Sequence, residues 1–417
     1  MSLLLGCIAD DFTGATDLAN TLTRQGMSAV VLLGVPQQLT TPDVDAAVIA
    51  LRSRSVGALD AVRMSLEALD WLRRAGARQY FFKYCSTFDS TDAGNIGPVA
   101  DVLLNELRES FTVVCPAYPA NGRTVYKGHL FVGGQLLSES SMRDHPLTPM
   151  TDALLMRVLK RQTNGRVGLV PFEIVDRGEE AILAEIQALR AQEYRYAIVD
   201  ALTERHLVEI GKACRDMTLV TGGSGLALGL PGNYRRLGLL QRRYADREQA
   251  IEGHAAVLAG SCSAATLRQV AAMKACCEAF AIDPVRTVAS EDAAIEAAEW
   301  ARTRLGAKPI LIYSSAEPAK VSEAQAKLGR EQAGAWVERT LAGVATRLVD
   351  LGVKRLVVAG GETSGAVVSA LGIEGLRIGR EIDTGVPWTT SLSGPQVALA
   401  LKSGNFGSDD FFLKAFE

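Results

Sequence analysis

The chain is predicted to fold as an α/β protein of two domains, each a mainly parallel sheet flanked by helices, with a cleft between them. Three observations predict this. Short apolar runs alternate with runs of helical spacing along most of the chain, which is the pattern of βα units. The run at 356–359, LVVA, is apolar throughout, as a strand buried on both faces of a parallel sheet is. The length of 417 residues exceeds one domain at roughly 150 residues each.

Taken in order, residues 3–9 read as a first strand, and 10–14 as a loop. Residues 15–25 read as a helix with Ala15, Leu18, Ala19 and Leu22 on one face, because positions three and four apart share a face. Gly26 closes it. Strands are expected at 28–33 and 45–51, a helix at 58–75, and a strand at 79–84. The run 83–97 is polar, bears glycine and lies just past a strand, where α/β sheets bind ligands. A helix at 99–107 and a strand at 112–115 follow. Residues 124–150 read as an insertion, with a hairpin around Lys127 and Gly128, placed to cover a site. Further strands are expected at 167–170, 196–199 and 219–225, the last ending in glycines. The chain then turns basic, with Arg235, Arg236, Arg242, Arg243 and Arg247. The division is therefore set at 1–235, a linker at 236–253, and 254–417. In the second domain, strands are expected at 255–259, 309–313, 356–359, 384–388 and 398–402, and helices at 266–273 and 330–351.

Composition narrows the function classes. A net charge of -3 argues against a nucleic-acid partner, which calls for a basic face. Seven cysteines without a CxxC pair suit reduced thiols in the cytoplasm. The N-terminus has no basic region before its short apolar run, so it reads as a strand and not a signal peptide. No apolar run reaches about 18 residues, so no membrane span is expected. The four histidines form no metal-ligand pair of HxxxH type, and no metal-binding residues are assigned.

The chemistry centres on LVVAGGETSG at 356–365. A strand, a glycine turn and a helix point free N–H groups and a helix dipole at what lies above them, and phosphate suits that place. An ordinary βα turn is the alternative, since the stretch is neither a Walker A loop nor GxGxxG. Two more turns rich in glycine and hydroxyl follow apolar strands, at 260–263 and 403–407. Three such turns on one sheet edge would line a nucleotide site, with Lys402 as the adjacent cation or as a solvated surface lysine. In the first domain, Asp10 and Asp11 end the first strand. They suit sugar hydroxyls, Mg²⁺ or general-base work, or else a helix cap. Adjacent residues of an extended chain point opposite ways, so the two are not expected to share one role. Arg52, Arg54 and Lys83, at two other strand ends, offer cations for a substrate carboxylate or are solvated. Ser86, Asp89 and Asn95 in the 83–97 run join them as substrate-binding candidates. GxGxxxG at Gly223, Gly225 and Gly229 is the only trace of a dinucleotide fingerprint, and it has no acid in the required place.

ADDFTGATD at 9–17, GSCS at 260–263, GGETSG at 360–365 and KSGNFG at 402–407 together resemble the signatures of the four-carbon acid sugar kinases, in the right order and over nearly the whole chain. The resemblance implies an N-terminal acid-sugar domain and a C-terminal ATP domain. It implies transfer of the γ-phosphoryl of ATP to the terminal hydroxyl of the acid, with Mg²⁺ on the phosphates. It places ATP against Ser261, Ser263, Gly360, Gly361, Glu362, Thr363 and Gly404. The acid it implies is 3-oxo-tetronate, with threonate and erythronate as alternatives. An NAD(P)-dependent sugar-acid oxidoreductase is the weaker reading, and a sugar-acid binding protein weaker still. The expected partners are ATP and a small sugar acid, not nucleic acid or membrane. A homo-oligomer is compatible with the sequence.

Overall fold

The structure, a computed structural model, describes residues 3–37, 43–145, 148–240, 251–283, 293–315 and 329–417. The chain divides into two compact units, Met1–Asp246 and Arg247–Glu417. Of the linker expected at 236–253, residues 241–250 lie outside the described residues, and Arg242, Arg243 and Arg247 with them.

The first unit contributes β1 (Leu5–Ala9), β2 (Ala29–Leu33), β3 (Ala46–Ala50), β4 (Gln79–Lys83), β5 (Thr112–Cys115), β6 (Arg123–Tyr126), β7 (His129–Val132), β8 (Gln135–Leu136), β9 (Val167–Val170), β10 (Tyr196–Val199) and β11 (Leu219–Gly222). Its main sheet runs β2-β3-β1-β4-β11-β5-β10-β9, parallel throughout the described residues. Every residue of β1, β3 and β4 is buried, which is why β1 and β3 read as apolar runs. The chain leaves β1 toward β2 and β3, then crosses to β4 on the other side. The carboxyl ends of β1 and β4 are thus a topological switch point, where open α/β sheets hold ligands. The insertion forms an antiparallel sheet β6-β7-β8. Buried Asp200 pins its tight turn, accepting from the N–H groups of Lys127 at 2.7 Å and Gly128 at 2.9 Å.

The helix expected at 15–25 starts earlier and spans Phe12–Arg24, because the Asp11 side chain caps it by accepting from Gly14 N–H at 3.1 Å. Such a cap contributes about 1 kcal/mol.

The second unit contributes β12 (His254–Ala259), β13 (Ala279–Ala281), β14 (Ile310–Tyr313), β15 (Val353–Ala359), β16 (Gly375–Asp383), β17 (Val386–Ser391) and β18 (Ala398–Lys402). Its order is β13-β14-β12-β15-β18-β17-β16. The pairs from β13 to β18 are parallel, and β17 and β16 add an antiparallel edge. Val257, Leu311, Val357, Trp388 and Phe411 sit in its core. β16 is not among the strands expected from the sequence, because its buried Leu376 and Ile378 alternate with exposed Arg377, as in a half-buried strand without a continuous apolar run. Among the described residues no helix is long and apolar enough to cross a membrane.

Candidate active site

At the switch point of the first unit, Arg54 gathers the acids. The backbone carbonyl of Asp10 accepts from the N–H groups of Ser53 at 3.0 Å and Arg54 at 3.2 Å, which brings the loop after β3 across the end of β1. From there the guanidinium donates to Asp10 Oδ2 at 2.9 Å and Oδ1 at 2.8 Å, and to Asp11 Oδ1 at 2.8 Å. A bidentate fork of this kind fixes direction as well as distance. Asp89 Oδ2 stands 3.9 Å from the same guanidinium. The two aspartates therefore meet on one cation. The opposite orientations expected of them do not occur, because Asp11 has left the strand to cap the helix.

Asn95 holds the Arg54 loop and not an open face. Its amide nitrogen donates to the carbonyls of Ser53 at 2.5 Å, Arg54 at 3.2 Å and Val56 at 3.1 Å. Lys83 is buried, with Nζ 3.9 Å from Asp11 Oδ1. Gly14 leaves room for this amine, since a Cβ there would overlap both Lys83 Nζ and Asp11 Oδ1. Arg52 is exposed and lies 4.8 Å over the Phe12 ring. Ser86 is half-buried on the turn that also carries Asp89.

Burial raises the Asp10 carboxyl, and Arg54 opposes that rise. Burial would raise Asp11 too, but Arg54, Lys83, the Thr13 hydroxyl and the Gly14 N–H hold it down to about 2. Asp17, which closes the 9–17 motif and is given no separate role by the sequence, is buried on the helix Phe12–Arg24. It accepts from the hydroxyls of Ser224 and Tyr118, and burial pushes it up to about 6 against Lys83. Its signal is a carboxylate on the inner face of a helix that starts at the site.

In the second unit, β12, β15 and β18 are neighbours, with Ala259, Ala359 and Lys402 level across the sheet. The three turns expected to hold nucleotide follow these three strands. Ser263 caps the helix Ala264–Lys274, and its hydroxyl donates to Gly404 C=O at 2.5 Å. Ser261 Oγ accepts from Ser263 N–H at 3.2 Å. A Cβ on Gly404 would overlap Ser261 Oγ, so a side chain there would displace that hydroxyl. Gly360 has φ of 129° and precedes the helix Gly361–Ala370; a Cβ there would come 2.9 Å from Thr363 Oγ1. Thr363 is buried beneath this turn, whereas Glu362 is exposed on the first turn of the helix. Above Gly361 a Cβ would meet nothing within 4 Å. The arrangement is a set of N–H and hydroxyl donors at two helix starts around open space, which suits phosphate.

Among the described residues no group of three or more His, Cys, Asp and Glu could hold a metal ion. The Asp10–Asp11–Asp89 group already has Arg54 where a cation would sit.

A family model described as a sugar-binding N-terminal domain matches residues 5–230. One described as a nucleotide-binding C-terminal domain matches residues 256–412. The chain belongs to the four-carbon acid sugar kinase family. A 3-oxo-tetronate kinase of Burkholderia multivorans is 56% identical over 413 residues, covering 99% of this chain and 96% of its own. One of Cupriavidus necator is 54% identical over 417 residues, with coverage of 99% and 96%. Among solved structures, a Salmonella typhimurium LT2 protein described as a tRNA synthase matches with a TM-score of 0.90 at 46% identity, covering 99% of this chain and 98% of its own. A Haemophilus influenzae protein matches with a TM-score of 0.81 at 43% identity, covering 98% of each chain.

Proposed function

We propose that this kinase transfers the γ-phosphoryl of ATP to the C4 hydroxyl of 3-oxo-tetronate, giving the 4-phosphate and ADP. The observation that carries the reading is identity of 56% and 54%, along 99% of the chain, with relatives named for that activity. The tRNA-synthase description of one structural relative does not fit a chain of net charge -3, which lacks the basic excess nucleic acid calls for. The proposed ATP contacts are Ser261, Ser263, Gly360, Gly361, Glu362, Thr363 and Gly404. The proposed acid site is the Asp10–Asp11–Arg54 group, with Arg52, Lys83, Ser86, Asp89 and Asn95 around or behind it.

Phosphoryl transfer needs positioning and charge stabilisation more than covalent help, and both groups supply fixed donors and charges. Mg²⁺ is proposed to arrive on the ATP phosphates, keeping most of its waters, and to neutralise phosphate charge when bound. The reading also places the enzyme in the cytoplasm, where its seven free thiols would stay reduced. Incubation with ATP, Mg²⁺ and each of 3-oxo-tetronate, threonate and erythronate, with ADP release followed, tests the proposal. Faster turnover of threonate or erythronate would displace 3-oxo-tetronate as substrate, and no turnover of any acid would overturn the kinase reading.

Arg54→Ala should raise KM for the acid roughly ten- to a hundredfold, the value of a lost charge-assisted hydrogen bond, and leave KM for ATP within about twofold. Removing the guanidinium leaves Asp10 and Asp11 facing each other without their shared cation. Steady-state kinetics with each substrate varied in turn checks this. A rise in the ATP KM instead would show that the acid is not bound at this group.

A further inference from the structure

Lys402 closes β18 and is fully buried, at 0% exposure. Its ammonium donates to Thr266 Oγ1 at 3.1 Å, Ser403 C=O at 3.0 Å and Gly404 C=O at 2.9 Å. The Gly404 carbonyl also accepts from Ser263 Oγ at 2.5 Å and Thr266 Oγ1 at 2.9 Å. Three side chains thus converge on one carbonyl, and that carbonyl belongs to the turn whose glycine packs against Ser261 and Ser263.

All of the partners of Lys402 are neutral. Among the described residues, no carboxylate or other titratable group faces its Nζ from the surrounding elements. On the helix Ala264–Lys274, Arg268 is turned to Asp409 at 2.7 Å. On β16, Asp383 is taken by Lys414 at 2.6 Å. On β15, Arg355 lies over the Phe416 ring. Glu362, Cys262 and Asp410 are exposed on their turns. An ammonium without a countercharge is costly to bury, and burial lowers this one to about 7.

We propose that Lys402 is a positioning residue of the nucleotide site: it takes up a proton when the triphosphate binds, and as a cation it locks the Gly404 turn against the phosphates. The proposal rests on the nucleotide reading of the three turns. The phosphates supply the negative charge the site lacks, and the ammonium, held under the turn, supplies the positive charge to match. In the free enzyme above pH 7 the amine is mostly neutral, so binding draws one proton from solvent and deposits it on Nζ. Affinity should be flat below pH about 7 and fall as pH rises above it, by up to about tenfold per unit.

The test is calorimetry of ATP binding to the full chain at pH 8, without sugar acid, in buffers of different ionisation enthalpy, with repeats from pH 6 to 9. Wild type should take up most of one proton. Lys402→Met should bind ATP roughly ten- to a hundredfold more weakly, without uptake. It should melt no lower than wild type, since replacing a buried charge by an apolar side chain is often neutral or stabilising. Lys402→Arg, which stays charged, should bind with no uptake and a flat pH profile. ATP binding by wild type without proton uptake would overturn the role given to Lys402 and leave the nucleotide site standing. Failure of wild type to bind ATP at all would overturn the nucleotide reading itself. Because the wild-type measurement needs no variant, a folding defect in either substitution leaves the proposal decidable.

Discussion

Gly361→Val should fold as the wild type does and lose ATP binding. The space above Gly361 is open, with nothing within 4 Å of the point where a Cβ would stand, and its φ is not among the positive values that favour glycine. Valine therefore meets no wall, and at a helical position it costs no more than glycine does. What it fills is the space over the first N–H groups of the helix Gly361–Ala370, where a phosphate must approach. Gly360 would be a poor choice for the same test. Its φ of 129° is strained for any other residue, and a Cβ there would come 2.9 Å from Thr363 Oγ1, so lost binding would report a damaged turn. Titration of Gly361→Val with ATP, beside a thermal melt, checks the expectation. Wild-type affinity in a folded variant would mean that phosphate does not approach this turn.

Much of the fold was legible because its central strands are buried on both faces. β1, β3, residues 255–259 of β12 and residues 356–359 of β15 are apolar runs, and all but β3 lead into a turn whose glycines or acids stand out. The edge was harder to read, since β16 alternates buried and exposed residues and carries Arg377, Arg380 and Glu381. The nucleotide turns could be found singly in the sequence, but their adjacency depends on sheet order, with β18 beside β15 although β16 and β17 intervene in the chain. The acid group was half legible. Asp10 and Asp11 announce themselves at a strand end, whereas Arg54 reaches them only because backbone bonds from Ser53 and Arg54 carry its loop across β1. Nothing local marks Lys402 as buried, since a lysine closing a strand is ordinarily solvated. Its burial follows from the 403–407 turn folding over it.

Asp10→Asn should cost roughly 10²–10⁴ in kcat, as loss of a general base does, whereas Asp11→Asn should act mainly on KM for the acid. The difference follows from how each carboxylate is held. Asp11 is kept down to about 2 by Arg54, Lys83, Thr13 and the Gly14 N–H; so acidic a group holds a sugar hydroxyl well but takes its proton poorly. Asp10 is raised by burial, which brings it nearer the range where a base is useful. Stability separates them from a purely capping role. Asparagine caps as well as aspartate, so Asp11→Asn should keep the helix start, yet it should melt below wild type at neutral pH, because it lacks the ionised carboxylate that Arg54 and Lys83 hold. In wild type, the stability that Asp11 contributes is present above about 3.8 and is lost as pH falls through about 2, because a depressed carboxylate pKa stabilises only the ionised fold. That acid limb should be weaker in Asp11→Asn. Turnover and KM for both substrates, with melting from pH 2 to 8, check the pair. If both variants keep near-wild-type kcat/KM, the aspartates serve only the fold, and the hydroxyl of the acid must be oriented and deprotonated by other groups.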